Sequence, residues 1–345
     1  MLRCVKYLLG AALIIGSTLH AAAQTGATRQ NPFLQAKSWA YQLNNLGADQ
    51  QARIAASPYD LVVIDYARSG PGDLVEKPLT REEVERMKVK PDGGRRVIIA
   101  YLSIGESEDN RYYWQPGWAT KRPAWMGPES KEWKGNYLVK YWDPTWQKII
   151  FGNPESYVDR ILAAGFDGFY LDRADAYYRY GNTKQAQDTM TDFVVKLIAY
   201  IRTKQPNSGI MMQNAEELLD RPQYLAAIDA IAKEDLIWGI THREELNKKD
   251  DIDYSSKLLK DAQKAGKAIF VVEYLKNAKN IEDAKRRMSE LGFVLYCGPR
   301  GLFEIASGPA GGGVTPGPAL DGIRTTAPPK KAPAKPKADA APKAN

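Results

Sequence analysis

Acids stand where acids gain nothing structurally. In "FDGFYLDRADAY" (166–177) an apolar run ends on Asp172, with Asp175 three residues later. In "AIAKEDLIWG" (230–239) a second run ends on Glu234-Asp235. The same placement recurs at Asp65-Tyr66, at Ser103 and Glu106, at Gln213-Asn214 and at Glu273-Tyr274. Acids scattered at random would fall on helix faces, whereas these interrupt hydrophobic segments. Glycoside hydrolysis needs such a set. One carboxylic acid protonates the leaving oxygen, and a second, ionised, attacks the anomeric carbon or activates water. Amides, tyrosines and further acids hold the sugar hydroxyls. On residue types alone, Asp172, Glu234, Glu106 and Glu273 all qualify, and a one-residue slip would substitute Asp235 for Glu234. Asp175 reads as a helix cap or as a partner of Arg173.

The rest of the composition narrows the chemistry. The two histidines are His20 and His242, and the two cysteines are Cys4 and Cys297. His20 and Cys4 lie in the N-terminal leader described below. One histidine supports neither a Ser-His-Asp pattern nor a zinc site built on several histidines, and one cysteine makes no internal disulfide. His242 reads as a surface or loop residue. The competing use of the acids is a hard cation such as Mg²⁺ or Ca²⁺, but no D-x-D-x-D-G loop is present. No cofactor or metal is expected.

Six of the eight tryptophans (Trp114, Trp118, Trp125, Trp133, Trp142 and Trp146) fall between Tyr112 and Trp146. A long loop rich in indoles packs itself down and also offers flat faces to pyranose rings. Trp125 and Trp133, flanked by polar and turn residues, are the expected sugar contacts.

These groups must be positioned by something rigid. Eight apolar runs of strand length recur, at 39–43, 60–67, 96–105, 167–175, 209–216, 230–239, 267–275 and 292–298. Several are nearly continuous, as strands buried on both faces are. Helical patterns lie between many of them, at 145–165 (broken by Pro154), 188–205, 253–266 and 280–292. The spacing predicts an α/β single domain, a (β/α)₈ TIM barrel, whose reactive groups gather at the C-terminal strand ends. A doubly wound sheet is the alternative. The first strand is not followed by the G-x-G-x-x-G of its dinucleotide-binding form.

The ends are read separately. Residues 1–23 carry Arg3 and Lys6, an apolar centre "YLLGAALIIG" and small residues "AAA", the pattern of a secretory signal peptide. A linker is expected over 24–37, the barrel over 38–307, and a disordered Pro/Ala/Lys-rich tail over 308–345. The chain carries a net charge of +7. Arg3 and Lys6, with Arg324, Lys330, Lys331, Lys335, Lys337 and Lys343 against Asp339, account for all of it. The folded body is therefore near neutral, a poor match to nucleic acid. The basic tail suits contact with an anionic envelope surface or service as a solvated spacer. The expectation is a secreted or periplasmic monomer with a polysaccharide substrate.

The segments "YLSIGESE" (101–108), "YWDPTW" (141–146), "GFDGFYLDRADAY" (165–177), "MQNAEEL" (212–218) and the Glu234-Asp235 pair occur in barrel order. Together they resemble the endo-α-1,4-polygalactosaminidases, glycoside hydrolase family 114, over roughly residues 38–305. The resemblance implies retaining cleavage of α-1,4-linked galactosamine polymers. It implies Asp172 after the fourth strand as nucleophile and Glu234 after the sixth as acid/base. Asp65, Tyr66, Ser103, Glu106, Gln213, Asn214, Glu273 and Tyr274 are then expected to line the pocket. Two alternatives share the same residues: a barrel that binds carbohydrate without cutting it, and a metal-dependent hydrolase.

Overall fold

The computed structural model describes residues 29–68, 76–131 and 133–306. The expected signal peptide, the start of the expected linker and the tail lie outside the described residues.

Eight strands form one parallel sheet: β1 (Trp39–Gln42), β2 (Leu61–Ile64), β3 (Val97–Ser103), β4 (Gly168–Asp172), β5 (Gly209–Gln213), β6 (Ala230–Glu234), β7 (Ala268–Glu273) and β8 (Val294–Cys297). Each pairs in parallel with the next in sequence. The sheet curls until β8 approaches β1, where the Trp39 indole Nε1 donates to the Val294 carbonyl at 3.1 Å. This is a nearly closed (β/α)₈ barrel, as the alternation of runs predicted. All eight expected strands are present, because runs such as "VVI" and "IFVV" are buried inside by the barrel core and outside by helices.

The helical layer is α1 (Ala48–Ala55), α2 (Arg81–Lys88), α3 (Pro144–Ile150), α4 (Tyr157–Ala163), α5 (Lys184–Lys204), α6 (Pro222–Ala227), α7 (Lys249–Lys264) and α8 (Ala278–Leu291). Caps set several starts. Thr80 and Glu83 form a capping box on α2, Thr183 caps α5, and Asn277 caps α8. Pro154 separates α3 from α4, as expected from its missing N–H and locked φ. α5 begins four residues ahead of its apolar stripe because Thr183 supplies the cap. α7 begins at Lys249, with no side-chain cap at Lys248.

Two segments differ from the sequence reading. The expected linker is docked from Asn31 on: the Asn31 amide donates to the Asp229 carbonyl at 2.6 Å, and Phe33 is buried edge-on to Phe270 at 6.3 Å. A single plugging phenylalanine leaves no periodic signal. The Trp-rich stretch is not one irregular loop, since residues 106–108, 126–129 and 136–139 pair as a small antiparallel sheet. Trp146 pins this insertion to the barrel, its Nε1 donating to the Ile104 carbonyl at 3.0 Å. Among the described residues, no helix is long and apolar enough to cross a membrane.

Candidate active site

β4 delivers Asp172 at the C-terminal end of the barrel, level with Ser103 of β3. The Tyr101 hydroxyl donates to its Oδ2 at 2.6 Å, and the Arg173 backbone N–H donates to its Oδ1 at 2.6 Å. Burial pushes this carboxyl up to about 8. The charge of Glu234 adds to that rise, and the Arg173 guanidinium and the Tyr101 hydrogen bond oppose it.

β6 delivers Glu234, which is also fully buried. The Tyr274 hydroxyl donates to its Oε1, and the Asn214 amide donates to its Oε2 at 3.1 Å. Asn214 also accepts the Glu234 backbone N–H at 3.0 Å, so one amide fixes both ends of the residue. Burial raises this carboxyl above the ordinary range, Asp235 adds to the rise, and the bonds from Tyr274, Gln213 and Asn214 oppose it. The charge of Glu234 thus reaches Asp172 across the strand ends.

Tyrosines floor the site. Tyr170 lies two residues before Asp172 on β4, so both side chains project to one face of the strand. Its ring packs against Tyr41 at 5.0 Å and Tyr101 at 6.4 Å between centroids. Burial and the charges of Glu234 and Asp172 hold its phenol far above the ordinary range. Tyr41 in turn donates to Gln213 Oε1 at 3.3 Å. The floor is apolar in bulk and supplies hydroxyl donors at its upper edge.

The backbone turns sharply just beyond each of the three strand ends. Arg173 (φ 64°), Asn214 (φ 51°), Ala215 (φ 56°) and Asp235 (φ 50°) are all left-handed without being glycine. Each such residue costs about 1–3 kcal/mol, and clustering at three adjacent strand ends marks a site where geometry is held against strain. Gly105 is required for the first of these turns, since a Cβ there would fall 2.1 Å from the Arg173 carbonyl oxygen.

The other expected residues divide into three groups. Gln213, Asn214 and Tyr274 surround Glu234, as described. Ser103 and Glu106 brace the Asp172 side: Ser103 Oγ donates to the Glu106 carbonyl at 3.0 Å, and Glu106 accepts Arg173 Nη2 at 2.7 Å and Asn136 Nδ2 at 3.3 Å. Asp175 lies 3.8 Å from Arg173 Nη1, the partnership expected of it. The third group has other surroundings. Glu273 is wholly buried, and its oxygens accept the backbone N–H groups of Ile237 (2.7 Å) and Trp238 (3.3 Å), fastening the loop after β6. Asp65 is engaged by Arg111 and by the Ala67 N–H. Tyr66 turns toward α4, where its ring meets Tyr157 edge-on at 5.3 Å. Trp125 is buried between Trp118 and Trp146, with centroids 5.2 and 5.0 Å away, so it keeps almost no face for a sugar. Trp133 is half-buried. The most open of the six is Trp142, 41% exposed and set against Tyr180 at 4.7 Å. His242 is exposed in the loop after β6.

Sequence reasoning missed Tyr41, Tyr101 and Tyr170, and the bracing role of Arg173 toward Glu106. The tyrosines sit in runs buried on both faces, where no alternation separates inward from outward positions. Among the described residues, no three His, Cys, Asp or Glu side chains converge as metal ligands would.

With this geometry in view, similarity to known proteins becomes informative. Two uncharacterized proteins are each 36% identical to the chain. One, from Methanocaldococcus jannaschii, matches over 274 residues, covering 75% of this chain and 74% of its own length. The other, from Deinococcus radiodurans, matches over 278 residues, covering 80% and 85%. The barrel is also similar to the glycoside hydrolase domain of PelA from Pseudomonas aeruginosa (TM-score 0.58, 17% identity, 79% of this chain and 99% of that one). It is similar again to Aspergillus fumigatus Ega3, solved in complex with galactosamine (TM-score 0.53, 16% identity, 79% and 94%). The model of glycoside-hydrolase family GH114 matches residues 18–307. The chain therefore belongs to glycoside-hydrolase family GH114 and is a glycoside hydrolase.

Proposed function

We propose that the protein is a secreted, retaining hydrolase of α-1,4-linked galactosamine-containing polysaccharide, with Asp172 as nucleophile and Glu234 as acid/base. The observation that carries this reading is a pair of buried carboxyls on β4 and β6, each raised by burial and each held by a tyrosine hydroxyl. A retaining site needs one ionised and one protonated carboxyl at the same time. Both carboxyls are raised in the free site, Asp172 to about 8; the Arg173 guanidinium and the Tyr101 hydroxyl pull Asp172 toward the ionised form a nucleophile needs, and burial with Asp235 pulls Glu234 toward the protonated form an acid needs.

In the first step a carboxylate oxygen of Asp172 bonds to the anomeric carbon. The glycosidic C–O bond breaks, and Glu234 gives its proton to the departing oxygen. In the second step Glu234 takes a proton from water. The water oxygen bonds to the anomeric carbon and Asp172 leaves as carboxylate. The Tyr101 hydroxyl and the Arg173 N–H hold Asp172 at a fixed angle throughout. Galactosamine as substrate is supported by family membership and by the galactosamine bound to Ega3. Ammonium groups on the polymer would be drawn to a strand-end face rich in buried acids.

The test is to incubate the full chain with defined α-1,4-galactosamine oligomers beside neutral α-1,4-glucan and galactan oligomers, and to read product masses. Cleavage confined to the amino sugars is expected; equal cleavage of the neutral glycans would overturn the substrate assignment. Export rests on the leader pattern of residues 1–23. Fractionation of the producing cells should find the protein outside the cytoplasm, with Gln24 as its first residue. An uncleaved cytoplasmic chain would contradict it.

A further inference from the structure

The loop after β8 sends Arg300 back across the barrel mouth. Its Nη2 donates to both Asp235 oxygens, at 2.8 and 2.7 Å. Its guanidinium carbon lies 4.4 Å from the centroid of the Tyr274 ring. Tyr274 donates its hydroxyl to Glu234, and Asp235 is the residue after Glu234. The contacts close a circuit: Glu234, Asp235, Arg300, Tyr274 and back to Glu234.

Every member of this circuit is constrained. Asp235 is left-handed, its N–H bonds to the Val272 carbonyl at 3.0 Å, and its own carbonyl accepts the Asn247 amide at 2.7 Å. Gly239 leaves room for the ion pair: a Cβ there would come within 3.0 Å of Asp235 Oδ1 and 3.2 Å of Arg300 Nη2. Tyr274 follows Glu273, whose side chain fastens the loop that carries Gly239. An arginine is suited to this place because one guanidinium nitrogen serves the carboxylate while the planar group lies over an aromatic ring. A lysine would supply charge without the plane.

The geometry points to Arg300 as a positioning residue for Glu234: it holds the Tyr274 ring so that the phenol bonds Glu234 Oε1, and it neutralises Asp235 so that Glu234 releases its proton within the working pH range. This inference rests on the reading of Glu234 as acid/base. Three consequences of losing Arg300 act in one direction. A nearby cation disappears, the Tyr274 hydrogen bond loosens, and Asp235 loses its ion-pair partner and keeps the charge of Lys233, which also acts on Glu234. Each favours the protonated form of Glu234.

The test compares wild type, Arg300→Met, Arg300→Lys, Tyr274→Phe, the Arg300→Met/Tyr274→Phe double variant and Glu234→Gln on a galactosamine oligomer, with kcat and KM measured across pH. Arg300→Met is expected to lower kcat about tenfold to a hundredfold with KM changed less than about threefold. The alkaline limb of kcat/KM should move up by about one pH unit. Arg300→Lys should return the limb toward its wild-type position while kcat stays depressed. In the Tyr274→Phe background, Arg300→Met should cost clearly less than it does alone. An unmoved limb, or the same fold-loss in both backgrounds, would overturn the inference. If Arg300→Met fails to fold, the Arg300→Lys profile decides in its place: an unaltered kcat there removes the requirement for the planar contact. Full activity in Glu234→Gln would instead overturn the underlying acid/base assignment.

Discussion

Replacing Asp172 by Asn should lower kcat by about 10⁴-fold or more on any substrate the enzyme cuts, because the covalent step loses its nucleophile. Glu234→Gln should cost about 10²–10⁴-fold, the usual range for a general acid–base group. Neither loss should come from unfolding. In the folded chain the Asp172 carboxyl is raised to about 8, mainly by burial. A carboxyl whose folded pKa lies above its unfolded value contributes most below the unfolded pKa of about 4. That contribution fades as pH rises toward the folded pKa. Asn carries no such pH-dependent cost. The Asp172→Asn variant should therefore unfold at or above the wild-type midpoint near pH 7.5, with the gap closing near pH 4. Thermal denaturation at the two pH values checks this. A variant that is inactive and also much less stable at pH 7.5 would say that Asp172 is structural.

The second large effect is on stability, away from the reacting groups. Arg111 is nearly inaccessible and sits among three acids: Glu108 at 2.7 Å, Asp65 at 2.9 Å and Glu76 at 3.2 Å. Glu76 is bound further by the Tyr112 N–H at 2.8 Å and the Tyr157 hydroxyl at 3.2 Å. Burial raises both Glu76 and Glu108, with Arg111 opposing. Removing the cation leaves buried carboxylates uncompensated, which costs about 3–5 kcal/mol for one broken pair. Arg111→Met should lose at least about that much near pH 7.5. The sign with pH follows from the same shifts. Without Arg111, Glu76 and Glu108 rise further, so they take up protons sooner as pH falls, and the deficit should narrow toward pH 4.5. Urea unfolding at both pH values measures it. A deficit below about 1 kcal/mol at pH 7.5 would show that the acids do not depend on Arg111.

This network also explains part of what could be foreseen from residues alone. Asp65 was visible as an acid ending a strand, and that position drew a pocket role. Its partner Arg111 lies 46 residues away with no local pattern linking the two. Glu76 and Glu108 likewise carry no sequence pattern that links them to Arg111. The strands were legible for the opposite reason: "RVIIAYLSIG" and "KAIFVVEYL" need burial on both faces, and only a covered parallel sheet supplies it. Asp172 and Glu234 stood out as candidates because a charge at the end of such a run has few structural uses. Glu273 shared that signature and turned out to fasten a loop, so the strand-end rule locates the face without assigning roles. Arg300 had no signal, since it sits in a short Gly/Pro turn and acts only through residues brought near by barrel closure. Trp125 shows the limit of reading exposure from neighbours. Its polar flanks suggested a surface, yet Trp118 and Trp146 enclose the ring.

The central claim is that Asp172 and Glu234 cleave an α-galactosaminyl bond by double displacement. The most direct test follows the first minutes of hydrolysis of an α-1,4-galactosamine oligomer by proton NMR, before mutarotation mixes the anomers. The account predicts that the α-anomer of the new reducing end appears first and that no product appears with Asp172→Asn. Initial release of the β-anomer, or undiminished hydrolysis by that variant, would contradict it.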